Sequence, residues 1–275
     1  MIAFRQANLD ELELVLGWAA AEGWNPGRDD ARAFLSADPE GFFLATDGEL
    51  PVGSISVVNH NEAFAFLGLY IMRPEYRGRG IGYRLWQHAL KHAGGRVVGL
   101  DGVPEQQANY EKSHFVHASG TTRFAGAPAP KGVGDLRPAT PRDVPELIEM
   151  EAFASGYRKA NYLETWFAGA SSRVTYLREI DGRISGAATV RGCVDGAKVG
   201  PLLASDAQTA DDLLCHAAKI FGPKVTVDVP AGSNGLAELC LRRGLVPGFN
   251  TARMYKGPAP NTRSEFYAVA SLELG

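Results

Sequence analysis

Cysteine is scarce: Cys193, Cys215 and Cys240 are the only three in 275 residues. An odd number at wide spacing argues against a disulfide framework and against a compact metal knuckle, and it suits a reducing, cytoplasmic setting. No metal is expected, because no His, Cys and carboxylate grouping has ligand spacing. Long hydrophobic runs are also missing. The longest, Ala63 to Met72, is about half of a bilayer span, so no membrane partner is expected. The amino terminus lacks the basic stretch and apolar core of a secretory signal. Neither sign of charge is in excess: 28 basic against 31 acidic residues leave a formal net charge of -3. That balance offers no broad surface for nucleic acid. With 45% hydrophobic and 21% charged residues, the composition is that of a folded globular protein.

What the chain does have is glycine, 32 residues of it, and repetition. At roughly 150 residues per domain its length suits two units. Phe4-Arg5-Gln6-Ala7 with Asp10-Glu11-Leu12 returns as Leu136-Arg137-Pro138-Ala139 with Asp143-Val144-Pro145. Phe43 to Gly48, then Gly53 and Val57, return as Tyr176 to Gly182, then Gly186 and Val190. Leu100-Asp101-Gly102-Val103-Pro104 is echoed by Val227-Asp228-Val229-Pro230, and Thr121-Thr122-Arg123-Phe124 by Thr251-Ala252-Arg253-Met254. The order never breaks, so the chain reads as two copies of one fold: residues 1–126, a Pro/Gly-rich linker at 127–134, and residues 135–275. The last copy carries an extra tail, in which Phe266 to Ala270 has the composition of a strand that stitches the halves together.

Within a copy, apolar residues recur first at helical and then at strand spacing. Leu12, Val15, Leu16 and Ala19 make one face of a helix after Phe4; Phe42–Thr46 and Gly53–Val58 flank a turn at Asp47-Gly48; Phe64–Met72 is a strand; Ile81–Ala93 is a helix. The expected class is α+β with a mixed sheet.

The most informative stretch runs from Tyr70 to Leu85. A strand ends, Pro74 breaks it, Gly78, Gly80 and Gly82 alternate, and a helix begins. Glycines let backbone approach a phosphate, and the amides and positive dipole end of the helix attract its charge. Arg77, Arg79 and Arg84 add positive charge at the same point. The spacing is that of neither a nucleoside-triphosphate loop nor a dinucleotide fingerprint.

Arg77-Gly78-Arg79-Gly80-Ile81-Gly82 resembles the Arg/Gln-x-x-Gly-x-Gly/Ala loop of the GNAT acetyltransferase superfamily. The Arg-x-Ala opening strand, Met72-Arg73-Pro74 before the loop, and Tyr110-Glu111-Lys112-Ser113-His114-Phe115 after it are similar to the same family's context, with His114 in place of its usual glycine. The resemblance implies a tandem GNAT protein, each unit a mixed, mostly antiparallel sheet flanked by helices. It implies that Tyr70, Ile71 and Met72 pair with the pantetheine arm of acetyl-CoA, and that the loop from Arg77, Gly78, Arg79, Gly80, Ile81 and Gly82 to Tyr83 holds its pyrophosphate. Tyr110 matches the tyrosine that protonates the departing thiolate, and Gln106 or Gln107 stands in for a family asparagine. Asp101 ends the strand where some members carry a glutamate base, although Asp228 holds the same place in the second copy and a shared position is often a requirement of the fold. Glu22, Trp24 and Asn25 follow the first helix, where the family binds the acceptor.

In the second copy Ser205-Asp206-Ala207-Gln208-Thr209-Ala210 lies over the glycine loop and Cys240 over Tyr110. With no glycine, no arginine and an aspartate there, this copy is expected not to bind acetyl-CoA. The expected activity is transfer of acetyl from acetyl-CoA to a primary amine of a small-molecule or peptide acceptor, by direct attack in a ternary complex. The alternative is a non-catalytic, acyl-CoA-responsive binding module. Acceptor identity and oligomeric state are not legible in the sequence.

Overall fold

Branched and aromatic runs become strands, and the Gly and Asx positions between them become turns and caps. In a computed structural model, which describes residues 1–263 and 265–275, the first copy runs β1 (Ile2–Gln6), α1 (Leu9–Ala21), α2 (Asp30–Ala37), β2 (Phe42–Asp47), β3 (Leu50–Asn59), β4 (Phe64–Met72), α3 (Ile81–Leu90), β5 (Val97–Gly102), α4 (Gln107–Glu111) and β6 (Val116–Gly126). The second runs β7 (Arg137–Pro138), α5 (Val144–Ser155), α6 (Ala160–Ala168), β8 (Arg173–Ile180), β9 (Arg183–Gly192), β10 (Ala197–Ala204), α7 (Ala207–Ala217), β11 (Val225–Pro230), α8 (Asn234–Arg242) and β12 (Val246–Lys256), and the tail adds β13 (Tyr267–Ala268). Local signals account for many boundaries. Asn8 and Glu11 close a capping box at the start of α1. Gly48, at φ +61°, turns the β2–β3 hairpin, where a side chain is strained.

The two copies are not beads on a string. Their strands form one thirteen-stranded sheet, in the order β1-β2-β3-β4-β5-β12-β6-β11-β10-β9-β8-β7, with β13 paired to β10. Among the described residues, only β4–β5 and β10–β11 are parallel. Each copy gives its last strand to the other: β12 lies against β5, and β6 lies against β11. Residues 127–136, which carry no regular structure, therefore join the copies covalently without separating them in packing. The cores record the same exchange. Phe124 is buried among second-copy residues such as Val199, Leu213 and Val227. Ala252 and Met254 are buried among first-copy residues such as Val57, Leu85 and Leu100.

Charge sets the register of the exchange. Asp101 on β5 stands directly opposite Arg253 on β12, and Asp228 on β11 directly opposite Arg123 on β6. Both pairs are bidentate, at 2.8 and 2.7 Å and at 2.7 and 2.9 Å. They join repeat-equivalent residues across the exchange. A misplaced strand leaves a buried charge uncompensated, so opposed ion pairs of this kind select one pairing.

Beneath the sheet, α2 and α6 pack together, with the ring of Phe34 stacked on Trp166 at 6.1 Å. That apolar layer, with Leu12, Val15, Leu147 and Tyr162, belongs to both copies. Among the described residues, no helix is long and apolar enough to cross a membrane.

Candidate active site

The sheet opens where β4 and β5 part. They pair in parallel only from Phe64–Leu67 to Val97–Leu100. Beyond that point the register of β4 against β3 shifts, and Leu69 takes a positive φ of 46°. Ser54 Oγ donates to Leu69 O at 2.8 Å and holds the distortion. Irregularities of this kind re-aim strand ends. Here β4 leads to the glycine loop and β5 to Tyr110, with a gap between them.

A cleft of about 510 Å³ occupies the outer part of the gap, lined by Tyr70, Ile71, Met72, Arg77, Gly78, Gly80, Gly82, Tyr83 and Gln106 together with Glu22 and Trp24. The glycines are required for different reasons. Gly78 and Gly80 both have φ +71° and open space where a Cβ would stand, so backbone conformation demands them. Gly82 has no such conformation, but a Cβ there would meet the Tyr70 hydroxyl at 2.7 Å. Gly80 begins α3 without any side-chain cap. The first-turn amides of a helix have no partner within it, and Arg84 N is the first to return, to Gly80 O. The loop therefore presents free amides at a positive helix end, which fits a pyrophosphate.

The same position in the second copy is closed. Asp206 begins α7 and its carboxylate accepts from Thr209 N at 2.8 Å and Thr209 Oγ1 at 2.9 Å. A resident carboxylate already satisfies the helix end that α3 leaves open.

The inner part of the gap is a cavity of about 80 Å³. It shares Trp24, Tyr70, Val103 and Gln106 with the cleft, so the two adjoin. Tyr110 is a wall of this cavity, is 8% exposed and stacks on Trp86 at 5.3 Å and 15°. Gly102 leaves room for that ring, since a Cβ there would stand 2.9 Å from it. Burial raises the Tyr110 hydroxyl above its ordinary pKa, and the nearby Tyr70 adds to the effect. The group is a neutral donor over the ordinary pH range.

Other residues stand differently from their expected parts. Asp101 reaches the cavity wall, but its side chain is fully enclosed and both oxygens are held by Arg253. It stands as the counter-ion of Arg253, with neither oxygen left unpaired for an acceptor. Glu22 is held by Arg77, Nη2 to Oε1 at 2.5 Å, at the half-exposed mouth of the cleft. Its charge is spent on that partner, and so is part of the arginine's, whose Nε also donates to Met72 O at 2.8 Å. Asn25 lines neither space. It bonds the backbone of Asp195 in both directions, at 2.8 and 3.1 Å, and ties the copies together. The Ile81 side chain lies in the core, 3% exposed, leaving only its amide for a ligand. Arg79 lies over the Tyr76 ring at 4.9 Å.

Several cavity residues escaped the sequence reading. Arg123 comes from β6, Phe249 and Thr251 from β12, and Leu272 and Glu273 from the tail. The second copy thus builds part of the wall. One signal was on the page: Asp101 and Asp228, with Arg123 and Arg253, recur in both copies as opposite charges.

Known proteins agree with this architecture. The model of the Acetyltransferase (GNAT) family matches residues 7–115. A second model, described as an Acetyltransferase (GNAT) domain, matches residues 147–268. The holothin acyltransferase of Pseudoalteromonas sp. is 36% identical over 279 residues, 98% of this chain and 94% of that protein. Among solved structures, a putative acetyltransferase from Pyrococcus horikoshii aligns over 100% of this chain and 96% of its own, with a TM-score of 0.84 at 21% identity. A tandem GNAT protein from the clavulanic acid biosynthesis pathway covers 94% of this chain and 100% of its own, with a TM-score of 0.62 at 16% identity. These two structural likenesses speak to the fold.

Proposed function

The chain belongs to the GNAT acetyltransferase family and is an acyltransferase, and from that premise we propose that it moves an acetyl group from acetyl-CoA to a primary amine by direct attack in a ternary complex. One observation carries the reading. A cleft lined by glycines at an uncapped helix end adjoins, across Trp24, Tyr70, Val103 and Gln106, a cavity walled by a buried, neutral tyrosine. The amides of Gly78 to Tyr83 would bind the pyrophosphate, and the edge of β4 at Tyr70 to Met72 would align the pantetheine arm. The cosubstrate supplies an activated thioester, whose acyl carbon would lie at the joint between cleft and cavity. The full-length likeness to a protein named for acyl transfer to holothin supports transfer as the reaction.

Within that geometry Tyr110 donates its proton to the sulfur as the C–S bond breaks, so that no free thiolate is expelled into an apolar cavity. Trp24 and Val103 line both spaces, and their apolar surfaces at the joint would favour an amine over hydrolysis. Tyr110→Phe keeps the ring and its stacking but removes the proton. Turnover should fall by roughly 10²–10⁴-fold while acetyl-CoA affinity stays within about twofold. Thiol release against a panel of primary amines, with calorimetry for affinity, checks this; an unchanged rate removes Tyr110 from the role.

A further inference from the structure

Glu273 is a cavity residue to which the reaction above gives no part. After β13 the tail crosses from the second copy to the first and ends against β4. Gly68 makes that approach possible, since a Cβ there would collide with Glu273 O. His60 Nε2 donates to Leu274 O at 2.8 Å and Ser271 Oγ accepts from Leu274 N at 3.1 Å, so the end of the chain is held. Glu273 is 4% exposed and lines the cavity, and its Oε2 is buried without a hydrogen-bond partner among the described residues.

The charged neighbours are occupied elsewhere. Arg253 holds Asp101, Arg123 holds Asp228, and Lys198 Nζ donates to Trp24 O at 2.7 Å. A buried carboxylate oxygen without a donor is costly, and such groups in folded proteins call for a functional account. Leu67, Leu69, Leu100, Val103, Phe249 and Leu272 make the apolar part of the wall, beside the polar Gln106 and Thr251.

We propose that Glu273 is the acceptor-binding carboxylate: it takes an N–H of a small primary amine carried on an apolar body, and then the proton that nitrogen sheds. The proposal rests on the transferase reading and gives it a base with an oxygen unpartnered among the described residues, where both oxygens of Asp101 are held by Arg253. The balance is simple. The nitrogen lone pair forms the N–C bond, the C–S bond breaks, sulfur takes the Tyr110 proton, and Glu273 takes the proton from nitrogen. Amide and free thiol result, and solvent returns the two residues to their starting states.

The experiment uses the full chain saturated with desulfo-CoA, titrated with benzylamine, phenethylamine and isoamylamine by calorimetry, followed by acetyl-CoA turnover with the tightest of the three. Glu273→Gln should weaken amine binding by about tenfold or more and lower kcat/KM by roughly 10²-fold or more, with acetyl-CoA affinity unchanged. Glu273→Asp should recover part of both. Gly68→Ala, which carries no functional group but pushes the tail away, should reproduce the loss, with a thermal melt to verify folding. Amine binding and turnover unchanged in Glu273→Gln overturn the inference and leave the transferase intact. Binding of none of the three amines by the wild type overturns the acceptor class. Failure of the wild type to bind acetyl-CoA at all overturns the transferase reading instead.

Discussion

Gly80→Asp abolishes acetyl-CoA binding, with affinity falling by an expected hundredfold or more. Two effects combine. Gly80 sits at φ +71°, where a side chain costs about 1–2 kcal/mol. The larger effect is electrostatic and local. An aspartate at the helix start accepts from the first-turn amides and puts a negative charge where the pyrophosphate would lie. The chain already contains that arrangement, in Asp206 at the start of α7. Gly80→Ala separates the two effects. Nothing lies within 4 Å of its Cβ, so it suffers strain alone and should lose roughly tenfold. Calorimetric titration with acetyl-CoA and desulfo-CoA reads both variants. The expected stoichiometry is one site per chain, because the second copy's loop is capped. Wild-type affinity in Gly80→Asp means that the loop is a turn and that CoA binds elsewhere.

The second large effect falls on stability. Asp101→Asn leaves Arg253 buried without its counter-ion, and breaking a buried pair from one side costs about 3–5 kcal/mol. For a chain of this size each kcal/mol lowers Tm by about 2–4 °C, so the melt should fall by roughly 6–20 °C. Asp228→Asn should behave alike, because it abandons Arg123 in the same way. In the double variant Asp101→Leu with Arg253→Met no charge is left alone, and much of the loss should return. This experiment also decides the part Asp101 plays. If Asp101→Asn melts like the wild type and loses only turnover, the residue is a base after all and the ion-pair reading falls.

The glycine loop was legible because everything it needs is contiguous. The end of a strand, φ-permissive residues, arginines and a helix start lie within a dozen or so positions, and local rules govern each of them. Tyr110 followed, since it shares one copy and one core with the loop. Glu22 and Asn25 were legible as polar residues beyond a helix, but not as residues already engaged. Arg77 is far from Glu22 in sequence, and Asp195 is farther still from Asn25. Asp101 was legible as a carboxylate at a strand end but not as the partner of Arg253, because position on a strand does not reveal what stands opposite. Glu273 lies in a tail with no counterpart in the first copy, so the repeat offered nothing to compare it with.

The sequence by itself determined the repeat, the kinds and order of elements, the α+β class, the glycine loop before α3 and the absence of such a loop in the second copy. Each rests on interactions among residues close along the chain: periodicity, caps, turn glycines and charge at a helix end. The tertiary structure decided which sheet receives each last strand, and with it which carboxylates are free. β6 and β12 carry nearly the same pattern, and that pattern says which face is buried but not which edge is met. The exchange is settled by contacts between residues 152 and 105 positions apart, Arg253 with Asp101 and Arg123 with Asp228. With those four charges paired, both oxygens of Asp101 are held by Arg253, and the tail lies against β4. Glu273 is then the cavity carboxylate with an oxygen still to be met.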